Sequence, residues 1–126
     1  TQSLLDAQSV VLSSGPSSLH LMALFEQMRI REALIPKTLR LPPGQSVGEA
    51  LAHRRGELGF TQMSELLAIS GIDRLGPLGP EVQRVTVFSF GVKPGPGMRP
   101  AAQALIAFMT SSSVASQVRH AGLEPR

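Results

Sequence analysis

Ser9-Val10-Val11-Leu12-Ser13-Ser14-Gly15-Pro16-Ser17-Ser18-Leu19-His20-Leu21-Met22-Ala23-Leu24-Phe25-Glu26-Gln27-Met28 is the stretch on which the fold turns. Ser9 to Leu12 reads as a short buried strand, and Ser13 to Ser18 as a turn rich in hydroxyls. Leu21, Leu24, Phe25 and Met28 then recur at helical spacing, with Leu19, Met22 and Ala23 widening the stripe, so Leu19 to Met28 reads as a largely buried helix. Pro16 presets a helical φ and removes one N–H, while Ser14, Ser17 and Ser18 each offer a cap. The remaining first-turn N–H groups sit at the positive end of the helix dipole. A strand, a Gly/Ser turn and a helix start therefore make a seat for an oxyanion. The plainer alternative is that the serines only cap the helix.

Outward from this stretch, strand and helix patterns alternate. Thr1 to Gln8 reads as the end of a connection, anchored by Leu4 and Leu5. Arg29 to Ile35 continues or restarts the first helix until Pro36 stops it. Thr38 to Leu41 is a short strand closed by Pro42-Pro43-Gly44. Ser46, with Glu49 three residues on, reads as a capping box opening a helix to Arg55, with Val47, Ala50 and Leu51 inward and Gly56 as its stop. Leu58 to Thr61 is a third strand, Gln62 to Leu67 a helix, and Ile72 to Leu75 a further candidate strand before the turn-rich Gly76 to Pro80. Such alternation implies a three-layer α/β domain, a parallel sheet with helices on both faces. In such sheets ligands bind beyond the carboxyl ends of the strands, where Ser13, Ser14, Ser17, Ser18, Ser46 and Gln62 fall. Val85 to Val92 carries the strongest strand pattern and is apolar on both faces, so cover on both sides is expected. After a Pro/Gly linker, Lys93 to Arg99, come an amphipathic helix from Pro100 to Met109, with Ala101, Leu105, Phe108 and Met109 inward, and a last helix led by Val114, Ala115 and Val118.

Composition narrows the function classes. With 126 residues, 42% hydrophobic and 17% charged, the chain suits one folded domain. No Cys is present, which leaves neither disulfide nor thiolate chemistry. The net charge of +3, spread over ten Arg and two Lys, favours anionic ligands mildly. Basic stripes interleaved with aromatics are missing, so nucleic acid is not expected as a partner. No apolar run approaches the ~20 residues of a membrane span. His20, His53 and His120 are isolated and lack metal-ligand spacing, and no cofactor is implied. Glu57, Glu65 and Asp73 read as solvated surface. Arg40 and Arg84 are the cations available to balance an anion, and Arg54-Arg55 complements a helix end.

Ser-Ser-Gly-Pro-Ser-Ser, then Pro-Pro-Gly-Gln-Ser-Val-Gly-Glu-Ala-Leu, Arg-Gly-Glu-Leu-Gly-Phe-Thr-Gln-Met-Ser-Glu-Leu, Gly-Pro-Leu-Gly-Pro-Glu-Val-Gln and Ala-Leu-Ile-Ala-Phe-Met-Thr-Ser occur in order, closing on His-Ala-Gly-Leu-Glu-Pro. Together they resemble the carboxyl-terminal part of type 2 periplasmic solute-binding proteins, above all the molybdate-binding group of ABC transporter receptors. The resemblance implies one lobe of a two-lobed receptor. Residues 9–80 would form the ligand-binding core of a single lobe spanning 1–126, and 85–126 a returning strand with two helices that pack on the other lobe. Ser17 and Val47 match positions where backbone N–H groups meet the oxyanion, and Gln62 stands where those receptors often place a Tyr. The function implied is non-enzymatic binding of a small oxyanion or polar solute in the periplasm, with an ABC permease as partner. The first lobe, with its own ligand serines, is not among these residues. That leaves Val85 to Val92 and the Pro100 to Met109 helix either folding onto their own lobe or exchanging in a swapped homodimer. A ligand-sensing or dimerising module without a transport role is the alternative of the same fold.

Gly44-Gln45-Ser46-Val47-Gly48 also fits G-x-S-x-G, with Asp73 and His120 following in the α/β-hydrolase order. Pro42-Pro43-Gly44 breaks the strand that such an elbow needs, and Ser46 has a structural use as a cap.

Overall fold

The computed structural model describes residues 1–92 and 100–125. It divides into two compact units, Thr1–Arg84 and Val85–Arg126. In the first unit the order is α1 (Gln2–Asp6), β1 (Val10–Leu12), α2 (Pro16–Gln27), α3 (Arg31–Leu34), β2 (Thr38–Arg40), α4 (Val47–Ala52), β3 (Leu58–Phe60) and α5 (Met63–Leu66). The three strands are parallel in the order β2-β1-β3, with Leu12 in register with both Arg40 and Phe60. The fold is thus α/β with helices on both faces of a parallel sheet.

The layers follow from alternation along β1, whose three residues are fully buried. Val10 and Leu12 face one way and join Leu21 and Phe25 of α2, Leu34 of α3 and Ile30 between the two helices in one core cluster. Val11 faces the other way, onto Leu41, Val47 and Ala50 beside α4. Glycines let this second layer approach closely. A Cβ on Gly59 would stand 2.7 Å from Val47 Cγ1, and one on Gly48 would stand 2.8 Å from Ile69 Cγ1. Helix α4 therefore lies directly on β3 and against the segment that carries α5.

Several sequence expectations need correction. Residues 2–6 form a helix, and Leu4 and Leu5 pack against the first core cluster. Helix α2 starts at Pro16, earlier than the apolar stripe suggested, and Gly15 is its N-cap with no side-chain cap, so no serine caps it. Helix α3 ends at Leu34, ahead of Pro36 as expected, and a single 3₁₀ turn over Ile35–Lys37 follows with the proline in its first turn. Helix α4 ends at Ala52. Its reversal uses Arg54 at φ 56°, not Gly56. Gly56 serves packing instead, since a Cβ there would stand 2.2 Å from Val11 Cγ2. Ile72 to Leu75 forms no strand.

The second unit holds α6 (Pro100–Met109), a 3₁₀ turn (Ser112–Val114) and α7 (Ala115–His120). Val85 to Val92 is not a strand. Val85, Val87, Phe88 and Phe90 are 77%, 55%, 62% and 58% exposed, contrary to the cover expected on both faces. A strand is stabilised by a partner's backbone and by burial of its faces, and apolar sequence alone does not supply either. The expected inward face of α6 is likewise exposed at Ala101, Leu105, Phe108 and Met109. The Lys93 to Arg99 linker lies outside the described residues.

Candidate functional site

Because the strands are parallel and in register, the chain leaves β1, β2 and β3 on one edge, with neighbouring exits about 5 Å apart. Helices α2, α4 and α5 begin from these exits, so three first turns belong to the carboxyl edge of the sheet.

The exit of β1 is a cluster of hydroxyls. Ser13 Oγ lies 3.3 Å from both Ser17 Oγ and Ser18 Oγ and accepts the Gly15 N–H at 3.3 Å. Ser18, which is buried, donates its hydroxyl to the Ser13 carbonyl. Pro16 has no N–H, and the Ser18 N–H donates to Gly15 O at 3.1 Å. What remains at the tip of α2 is the Ser17 N–H, beside a half-buried hydroxyl pair. Ser14 is exposed and stands outside the cluster.

At α4, Ser46 is the N-cap and its Oγ accepts the Glu49 N–H at 3.3 Å. Val47 is 1% exposed and its side chain belongs to the core, so what it offers at this helix start is a first-turn backbone N–H without an intrahelical partner. At α5, Gln62 is the N-cap, but its side chain makes no capping bond, and among the described residues its carboxamide has no hydrogen-bond partner. Next to it Thr61 donates its hydroxyl to the Glu65 carboxylate, a tie not anticipated from sequence. Arg40, the last residue of β2, is exposed at the same edge. Structure thus sets Ser13, Ser17, Ser18, Val47 and Gln62 on segments that leave one sheet edge.

Two clefts lie outside these helix starts, the second of them sharing Arg40 with the carboxyl edge. One of about 430 Å³, lined by Gln8, Ser9, Arg54, Arg55, Gly56 and Glu57, is at the opposite, amino edge. There α4 presents its carbonyl end, Glu57 accepts the Gln8 N–H at 2.7 Å, and the Arg55 guanidinium donates to Gln45 Oε1 at 3.4 Å. Another of about 350 Å³ lies between α2, α3 and β2, lined by Met22, Arg31, Ile35, Thr38 and Arg40. Among the described residues no group of His, Asp and Glu could hold a metal ion. Nor, among the described residues, is any helix long and apolar enough to cross a membrane.

The hydrolase alternative finds no support in local geometry. Gln45 N–H closes a turn on Pro42 O at 3.2 Å, so no strand leads sharply into Ser46. His120 Nδ1 donates to Ser116 O at 2.8 Å.

Residues 2–124 match the family model described as bacterial extracellular solute-binding protein. The chain is 35% identical over 126 residues to an aconitate isomerase of a Pseudomonas species, covering 98% of this chain and 47% of the relative. It therefore spans about half the length of that relative. No solved structure matches. The expectation of a non-enzymatic protein is overturned by this relative, which is named as an enzyme and aligns over nearly the whole chain. The chain belongs to the bacterial extracellular solute-binding protein family.

Proposed function

We propose that this chain is the anion-binding lobe of a longer, two-lobed protein, and that the intact protein isomerises an aconitate-like tricarboxylate. The observation that carries the binding part is the common edge: the Ser17 and Val47 first-turn amides, the Ser13-Ser17-Ser18 hydroxyls and the unspent Gln62 carboxamide all leave the sheet on one side. Backbone N–H groups and hydroxyls at helix starts suit carboxylate as well as inorganic oxyanions. The isomerase part is supported by the relative's name. On this reading the exposed Val85 to Val92 segment and the apolar residues of α6 are covered by the remainder of the longer protein; a swapped homodimer of this chain would cover them instead.

A second reading is favoured by the family: a periplasmic receptor that hands an oxyanion to an ABC permease. Titration calorimetry of the intact protein with aconitate, molybdate and sulfate, alongside proton NMR of the aconitate isomers, separates the two. Heat and interconversion with aconitate are expected. Tight binding without interconversion favours the receptor, and absence of heat with every anion contradicts both.

A further inference from the structure

Residues 78–84 are fastened to α2 from far along the chain. Leu78 packs against the core cluster that includes Leu21 and Phe25, and His20 Nε2 donates to Val82 O at 3.1 Å, a bond between residues 62 apart. The segment is also braced internally. Val82 and Gln83 N–H donate to Gly79 O at 3.0 and 2.9 Å, Leu78 N–H to Gln83 Oε1 at 3.0 Å, and Gln83 Nε2 to Arg84 O at 2.9 Å. Such a clasp holds a fixed shape where it crosses the helix.

The place where it crosses matters. His20 follows Ser17 by three residues, so the two share a face of α2, separated by about 4.5 Å along the axis. Arg84 follows Val82 by two residues, a span of at most about 7 Å. Its guanidinium is exposed, with no carboxylate partner among the described residues. Glu81, the one acid on the segment, has its carboxylate folded back toward Gly79. We infer that residues 78–84 form a second wall of the anion site, that His20 is the positioning residue holding this wall beside Ser17, and that Arg84 supplies the cation favouring anions with several carboxylates. The inference rests on the anion-binding reading above.

The test compares aconitate with sulfate on the intact protein by calorimetry. Arg84→Ala should weaken aconitate by about fivefold, the scale of one partly screened ion pair, and change sulfate much less. His20→Ala should lower the aconitate-to-sulfate ratio in the same direction and speed amide exchange over 79–84, and His20→Gln, whose amide can still donate to Val82 O, should restore both. If wild type binds both anions and Arg84→Ala and His20→Ala keep its ratio, the second wall is refuted while the anion site stands. If wild type binds neither anion, the site itself is refuted and the wall with it.

Discussion

The rings of Phe25 and Phe60 meet edge to face, with centroids 6.2 Å apart and planes at 67°. This contact joins α2 to the last residue of β3, and so ties together two of the three segments that open the candidate site. Phe25 is 1% exposed, whereas Phe60 is half-buried. Phe25→Ala should cost about 3–5 kcal/mol and Phe60→Ala clearly less, read from denaturant midpoints at constant slope. Equal costs would mean that the Phe60 ring carries as much of the core as Phe25.

Gly56 is set by Val11. A new Cβ 2.2 Å from the fully buried Val11 Cγ2 leaves that side chain nowhere to move. Gly56→Ala should destabilise by about 1–3 kcal/mol through overpacking. The same substitution in a Val11→Ala background should cost less, because the two residues share one space, and a double-mutant cycle measures the difference. Additive effects would place the cause in the backbone.

Ser46 caps α4. Its Oγ receives the Glu49 N–H at 3.3 Å, so Ser46→Ala should lose about 1 kcal/mol while Ser46→Asp retains most of the stability. Thermal melts compare the variants, and a fluorophosphonate probe should leave Ser46 unlabelled. Labelling at Ser46 would revive the hydrolase alternative.

Lys37 pins the amino terminus. Its Nζ donates to Leu5 O at 2.5 Å and Ala7 O at 2.7 Å, the carbonyl end of α1. Lys37→Met should remove about 1.5–3 kcal/mol of charged hydrogen bonding and speed amide exchange in residues 2–7 more than in β1. Unchanged exchange in α1 would show that Leu4 and Leu5 suffice as anchors.

What the sequence made legible was local. The apolar run at Val10 to Leu12 and the spacing of Leu21 and Phe25 are each settled within a few residues, and the hydroxyl-rich turn between them sits where it was expected. Cap assignment was less legible: with three serines near one helix start, only backbone geometry decides that Gly15 is the cap. Arg54 hid the end of α4, because a non-glycine residue at φ 56° carries no compositional signal. Val85 to Val92 misled because strand formation needs partners that a periodicity cannot supply. The Thr61–Glu65 tie has the i, i+4 spacing of a helix start and was open to discovery. The His20–Val82 bond, spanning 62 residues, was not.

The surface proposed to receive the anion is the carboxyl edge of the sheet, not the arginine-lined cleft at its amino edge. Backbone amide NMR of the intact protein during titration with aconitate tests this directly. Shifts concentrated at Ser17, Ser18, Val47, Gly48 and the Gln62 side chain are the result expected. Shifts concentrated at Arg54, Arg55 and Gly56, with the three helix starts unmoved, would contradict it.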